Sequence, residues 1–165
     1  MHPIQEGLAV NDFDYTITLP LAPHGKQSIR TGQGRAFTAP KTRRWMNDAA
    51  RLFAAYLPSE KLEGPYRVDI LAVVERPQYM RKRFKRTGEA KYGEGLLWAP
   101  CKPDIDNIRK GVQDALERHL TDDKAIVDGR TVKVYSEIDG LPRVVVRIRS
   151  ITEWPSIACA DVLLA

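Results

Sequence analysis

The chain has 165 residues, of which 43% are hydrophobic and 28% are charged, with a formal net charge of +5. This composition excludes an intrinsically disordered protein, and the length suits one domain with its own core. No apolar run approaches the roughly 20 residues of a membrane-spanning helix, and residues 1–13 do not resemble a secretory signal. Two cysteines and three histidines are too few for a disulfide framework or a zinc cluster. From the low cysteine count and the lack of a long apolar run, we expect a cytoplasmic protein without a membrane partner.

The positive charge is concentrated in two segments. Residues 24–51 carry seven basic side chains and one acid, residues 76–102 carry eight and two, and the other residues are net acidic. Two basic segments beside an acidic remainder indicate a polyanion-binding surface. A solvated loop is the alternative, above all for residues 81–86. The candidate binding side chains are Lys26, Arg30, Arg35, Arg81, Lys82, Arg83, Lys85, Arg86 and Lys102.

The first half of the chain predicts two strands around one helix. Residues 1–13 read as an arm, and residues 14–19 alternate polar and apolar side chains before Pro20, which predicts a strand. Residues 20–39 are predicted as a loop or irregular hairpin. Pro40 suits the first turn of a helix that runs to about Leu57, with Trp45 and Phe53 on its apolar face. Residues 66–75 predict the second strand.

The second half predicts a long loop, a helix and two strands. Residues 77–100 are predicted as an exposed loop, and a helix follows from about Asp104. Thr121 is a candidate N-cap for a short turn. Residues 131–138 and 142–149 alternate as strands, and Asp139-Gly140 predicts a hairpin between them. We therefore expect a single two-layer α/β domain over residues 14–149, with helices packed on a mixed sheet in the order β-α-β-α-β-β and a tail at 150–165.

Acidic side chains cluster at the start of the second predicted helix. Asp106 and Lys110 are four residues apart and share a helical face, with Asn107 beside them and Asp104 at the helix start. A second pair, Asp122-Asp123, follows. Carboxylates from two elements that meet at one point need a cation between them, and oxygen ligands favour Mg²⁺ or Mn²⁺. Such a site can hydrolyse a phosphodiester.

A purely structural interpretation of these residues stays open at this point. Asp104 is a suitable N-cap, and Asp122 and Asp123 suit the positive end of a helix dipole. Asp106 and Lys110 form an ordinary i, i+4 pair on a helix. Composition and spacing alone favour a nuclease and a structural role about equally.

The acidic motif resembles the RusA family of Holliday junction resolvases. The family pattern is K-P-D-h-D-N-h-x-K, then D-A-L, then D-D-x-x-h, where h is apolar. This chain matches it with Lys102-Pro103-Asp104-Ile105-Asp106-Asn107-Ile108, Lys110, Asp114-Ala115-Leu116 and Asp122-Asp123-Lys124-Ala125-Ile126. A weaker similarity runs from Tyr15 to the helix at Pro40.

The resemblance implies a homodimeric, Mg²⁺-dependent endodeoxyribonuclease that nicks four-way junction DNA symmetrically in recombination and repair. It also implies a bacterial cell or a phage-infected host. By position, Asp104, Asp106 and Asp123 would be the metal-binding catalytic carboxylates and Lys110 the catalytic lysine. Asn107 would orient its neighbours, and Asp122 would support the site. The candidate dimer faces are the helix at 44–57, with Trp45 and Phe53, and the C-terminal strands.

Two other functions stay open from the sequence. One is a non-catalytic DNA-binding protein, and the other is a metal-dependent phosphohydrolase of small nucleotides. The complete acidic motif argues against the first, and the two basic segments argue against the second. Trp98, in the second basic segment, is a candidate for stacking on an unpaired base, whereas His119 is expected in the core or at its edge.

Overall fold

The computed structural model describes residues 13–25, 30–32, 35–37 and 39–151, and it describes 30–32 and 35–37 by their backbone alone. In this part of the chain, two α-helices pack on one face of a mixed β-sheet, which confirms the predicted α/β class. The elements are β1 (Tyr15–Leu19), β2 (Arg30–Gly32), β3 (Arg35–Phe37), α1 (Pro40–Ala54), β4 (Tyr66–Val74), β5 (Leu97–Trp98), α2 (Ile105–Leu116), β6 (Ile126–Asp128), β7 (Thr131–Tyr135) and β8 (Arg143–Ser150).

Strand β4 lies at the centre of the main sheet. The strand order is β1-β8-β4-β7-β5, and β6 pairs with the start of β4 on the same side as β7. β8 runs antiparallel to β1 and β4, while β7 runs parallel to β4. The irregular hairpin predicted within residues 20–39 corresponds to β2 and β3, which pair only with each other in the described residues.

The prediction that the last two strands form a hairpin is wrong. Ile70 of β4 pairs with Thr131 of β7 on one side and with Val146 of β8 on the other, so β4 separates them. The turn at Asp139-Gly140 belongs instead to a connection that crosses the end of β4. In this connection a carboxylate oxygen of Glu137 lies 2.7 Å from a guanidinium nitrogen of Arg143, the first residue of β8. The hydrogen bond from Arg143 lowers the pKa of Glu137 to about 2.

The core lies between the sheet and the two helices. Phe53 of α1 and the α2 side chains Ile108, Val112 and Leu116 are fully buried against alternate residues of the strands. Trp45 is also buried, and its indole N–H donates to the carbonyl of Ala22 at 2.9 Å. The expectation that Trp45 and Phe53 offer a face for dimer formation is therefore wrong, because the protein's own core already covers them.

Two local predictions also change. Residues 77–100 are not structureless, since they contain a 3₁₀ turn at Gln78–Arg81 and the strand β5. Thr121 is not the cap of the following turn. Its hydroxyl donates to the carbonyl of Leu62 at 3.2 Å, and Asp122 is the N-cap instead.

Residues 1–12 and 152–165, and with them most of the predicted arm and most of the tail, lie outside the described residues. In the described residues, neither α1 nor α2 has the length and apolar character needed to cross a membrane.

Candidate active site

The first acidic group lies at the N-terminus of α2. Asp104 occupies the N-cap position, and its carbonyl accepts the N–H of Ile108 at 3.1 Å. Its side chain, however, makes no capping hydrogen bond and is exposed. The structural explanation of Asp104 as a side-chain cap is thus not supported. A free carboxylate stands where the helix dipole and unpaired N–H groups already attract anions and phosphates.

Asp106 and Lys110 lie one turn apart on the exposed face of α2. The Lys110 Nζ is 4.0 Å from a carboxylate oxygen of Asp106, and the two side chains are 64% (Asp106) and 63% (Lys110) exposed. An exposed pair of this kind contributes little to folding stability. Both groups therefore remain accessible to a ligand that approaches the start of the helix.

Asn107 and the loop after β1 meet at the same place. Gly25 is buried, and a Cβ atom at this position would lie 2.7 Å from Cβ of Pro103 and 3.3 Å from Cβ of Asn107. Only a glycine allows so close an approach of the loop to α2. The basic residue Lys26 follows directly in sequence, but it lies outside the described residues.

Lys133, which is not among the predicted site residues, fixes the segment that leads into α2. Its Nζ donates to the carbonyl of Pro103 at 2.8 Å and also to the carbonyl of Cys101. The sequence pattern gives no signal for this role, because Val132 and Val134 share the other side of β7 and the alternation alone would place Lys133 in solvent. The pairing of Lys133 with Ala72, a core residue, places it on the side covered by the helices.

The second acidic group lies at the other end of α2. The backbone N–H of Thr121 donates to the carbonyl of Leu62 at 3.0 Å, and β6 begins opposite Tyr66. Asp122 caps the 3₁₀ turn by accepting the N–H of Lys124 at 2.9 Å. This hydrogen bond is the largest cause of the lowered pKa of Asp122, and a hydrogen bond with the side chain of Asp123 is the second. Asp123 is exposed beside it.

A single chain does not bring the two acidic groups together. Lys133, which holds Pro103, pairs with Ala72, whereas Ile126 pairs with Tyr66, six residues earlier on β4. Six residues of strand span roughly 20 Å. Within residues 13–25 and 39–151, no three histidine, cysteine, aspartate or glutamate side chains form a group that can hold a metal ion. The carboxylates have the right chemistry for Mg²⁺, but the expected convergence does not occur within one chain.

The basic run at 81–86 divides into two kinds of side chain. Arg81 donates to the carbonyl of Arg76 at 3.0 Å, and Arg83 forms ion pairs with Glu94 at 2.6 Å and Asp139 at 3.0 Å. These two guanidinium groups hold the loop in place. Three exposed cations have no partner among the described residues: Lys82, Lys85 and Arg86.

The other predicted binding residues differ in what the structure describes. Lys102 is exposed two residues before Asp104. Arg30 and Arg35 lie on the paired strands β2 and β3, described by their backbone alone. His119 is half-buried, with Nε2 3.0 Å from the carbonyl of Ala50, as expected for the edge of the core. Trp98 is 73% exposed and so remains a candidate for stacking.

Two comparisons with known proteins bear on this site. A family model described as endodeoxyribonuclease RusA matches residues 20–149, which include both acidic groups. The protein YqaN of Bacillus subtilis (strain 168), described as uncharacterized, is 34% identical over 127 residues, which are 76% of this chain and 85% of YqaN.

Proposed function

Because the chain belongs to the RusA endodeoxyribonuclease family, we propose that this nuclease resolves Holliday junctions by paired symmetric nicks during DNA recombination and repair. The observation that carries the proposal is the exposed group of Asp104, Asp106 and Lys110 at the start of α2. The Asp104 side chain does not cap its helix. Asp106 forms only a weak surface ion pair, with Lys110. These side chains are thus available for phosphodiester chemistry.

The charges of the site suit a scissile phosphate. The ammonium of Lys110 can neutralise negative charge that develops on the phosphate, and the α2 N-terminus adds to the same field. Asn107 orients its neighbours from the half-buried side of the helix. Mg²⁺, which Mn²⁺ can replace, is the cofactor we propose, bound by Asp104, Asp106 and Asp123 with Asp122 in support.

A homodimer is part of this proposal. The two acidic groups lie at opposite ends of α2 in one chain, so a metal site that uses both needs two chains or a rearrangement of one. In the dimer we propose, the start of α2 of one chain and Asp123 of the other form one site, and the two-fold symmetry provides a second, equivalent site. It also matches a four-way junction, whose approximate two-fold symmetry offers two equivalent strands.

We further propose that the protein acts in the cytoplasm of a bacterium or of a phage-infected host. The bacterial origin of the similar protein YqaN supports this setting. The basic segments, which include the exposed cations Lys82, Lys85 and Arg86, supply the contact with the DNA backbone.

Incubation with an end-labelled four-way junction tests the proposal, with and without Mg²⁺, beside a linear duplex of the same sequence. We expect metal-dependent cleavage at symmetric positions in two strands of the junction and no cleavage of the duplex. Binding of the junction without cleavage, whichever metal ion is added, would support the non-catalytic alternative. Hydrolysis of free nucleotides with an intact junction would support the phosphohydrolase alternative.

A further inference from the structure

Residues 77–96, here called the lobe, form a folded projection between β4 and β5. A 3₁₀ turn at Gln78–Arg81 leads into a short antiparallel pairing, in which the N–H of Phe84 donates to the carbonyl of Glu89 at 2.8 Å. In the same pairing, the N–H of Lys91 donates to the carbonyl of Lys82 at 3.0 Å. Gly88 has a φ of +74°, a conformation that favours glycine, and this allows the tight turn at the tip.

Two arginines fasten the lobe to the rest of the domain. The buried guanidinium of Arg76 donates to the carbonyls of Ser136 and Gly93, each at 2.8 Å, and to that of Gly95. Arg83 joins the hairpin to Glu94 and to Asp139 of the β7–β8 connection. The lobe is therefore held in one arrangement before any ligand binds, which lowers the entropic cost of binding.

The surface of the lobe combines exposed rings with exposed cations. Tyr79, Phe84 and Tyr92 are 57%, 49% and 47% exposed. Five of the nine exposed large hydrophobic side chains in the described residues lie between positions 79 and 98. Solvent-exposed apolar side chains gathered in one place mark interaction sites. The cations between these rings are Lys82, Lys85, Arg86 and Lys91.

The rings and cations are arranged in pairs. The Nζ of Lys91 lies 5.3 Å from the centre of the Phe84 ring, and Tyr79 meets Tyr92 edge to face at 6.0 Å. Beyond the lobe, Trp98 lines a depression together with Ile105, the first residue of α2. This depression thus joins Trp98, which follows the lobe in sequence, to the first residue of α2.

We propose that the lobe binds unpaired bases of DNA, with its aromatic side chains stacked on the bases and its cations on the phosphates. Rings between cations are the arrangement by which proteins bind single strands, because every base has a π-face. In a duplex those faces are already stacked, so the rings would discriminate between open and paired DNA. Resting on the proposed function, this inference assigns the lobe to the unpaired nucleotides at a branch point.

Binding of a fluorescent oligo(dT) strand, followed by anisotropy, tests the lobe directly. We expect the double variant Phe84→Ala/Tyr92→Ala to bind the strand about fivefold or more weakly for each ring that stacks. Affinity for a linear duplex should not change. Tyr56→Ala is the matched control, because Tyr56 is an equally exposed ring outside the lobe, and it should bind both probes like wild type.

A second variant separates the loss of aromatic faces from damage to the fold. Phe84→Leu/Tyr92→Leu keeps apolar bulk at both positions and should lose oligo(dT) binding as the alanine variant does. Three results would each overturn the proposal: wild-type protein that does not bind oligo(dT), variants that bind it normally, or equal losses on oligo(dT) and duplex. Conversion of a dimer to a monomer by the variants would also overturn it, since the lobe would then be a subunit contact.

The test does not depend on junction cleavage. Oligo(dT) binding needs neither the metal nor a competent active site, so it can succeed in a protein that cleaves no junction. Conversely, normal junction cleavage by the leucine variant with unchanged oligo(dT) binding would remove the lobe proposal and leave the proposed nuclease function standing.

Discussion

At the level of single residues, the carboxylates of the candidate site differ in whether the fold uses their side chains. Asp104 occupies an N-cap position without using its side chain as a cap, while Asp122 does use its side chain in that way. An aspartate that does not satisfy its own helix is available to bind something else. This contrast argues for a functional role of Asp104 and for a partly structural role of Asp122.

We predict that Asp104→Asn, Asp106→Asn and Asp123→Asn each abolish junction cleavage and leave junction binding intact or tighter. Each change removes one formal charge from the site with little change in size, and it removes repulsion from nearby phosphates. Cleavage and gel-shift assays on the same samples measure both effects. Glu60→Gln, an exposed carboxylate outside the acidic motif, serves as the control. Wild-type cleavage by any aspartate variant would remove that residue from the site.

We predict that Lys133 positions the start of α2, and Lys133→Met tests this role. The thioether keeps the bulk of the side chain but cannot donate to the carbonyls of Cys101 and Pro103. Because hydrogen bonds from charged groups contribute roughly 1.5–3 kcal/mol each, we expect the free energy of unfolding to fall by about 2 kcal/mol or more. Urea unfolding measures this loss.

The activity of the Lys133 variants separates positioning from simple destabilisation. At temperatures where Lys133→Met stays folded, we expect cleavage at saturating protein to fall while junction affinity stays within about twofold. Lys133→Arg, which keeps a charged donor, should restore part of the cleavage rate. Full cleavage by folded Lys133→Met would show that the start of α2 does not need this support.

At the level of elements, the 81–86 run is an exposed segment that includes the end of a 3₁₀ turn, a single bridge residue, Arg83, and the start of the turn at the tip of the lobe. Two of its arginines are bound within the protein, and three cations point to no partner in the described residues. This division changes which residues a DNA-binding experiment should target. Replacement of Arg83 would disturb the lobe itself, whereas replacement of the three exposed cations leaves its internal contacts intact.

We predict that Lys82→Gln/Lys85→Gln/Arg86→Gln makes DNA binding less dependent on salt. Each phosphate contact contributes about −0.9 to the slope of log K against log[salt], so three contacts contribute about −2.7. Titrations of a linear duplex at several salt concentrations measure the slope. Lys61→Gln, an exposed lysine outside both basic segments, is the control. A triple variant with the wild-type slope would mean that this run does not contact the DNA backbone.

At the level of the whole molecule, the two acidic groups are separated within one chain, so the oligomeric state bears directly on the candidate active site. We predict a homodimer of about twice 18.7 kDa in solution, which light scattering measures. On a plasmid with an extruded cruciform, paired nicks should yield linear product. A monomer at micromolar concentration that yields only open circles would contradict the resolvase function.

Mixed dimers test whether two chains share each site. Asp104→Asn and Asp123→Asn are expected to be inactive alone. A mixed dimer in which the start of α2 comes from one chain and Asp123 from the other regains one intact site, so the mixture should nick the cruciform plasmid to open circles. If the mixed dimer forms but does not nick, each site belongs to a single chain.

Much of the architecture follows from the sequence alone. The alternation in residues 15–19, 66–74, 131–135 and 143–150 and the apolar stripes of α1 and α2 identify the elements, because strand and helix periods are local properties of the chain. The spacing of Asp106 and Lys110 likewise determines that they share a helical face, and the acidic motif is sufficient to indicate the family.

The tertiary structure decided what depends on contacts between distant residues. Only the three-dimensional fold places β4 between β7 and β8, because alternation identifies a strand but not its partner. The same holds for Lys133 beneath Pro103, for the contacts by which Arg76 and Arg83 hold the lobe, and for the burial of Trp45 and Phe53. The distance between the two acidic groups is also a property of the fold, since the strand register, which sequence spacing does not reveal, sets it.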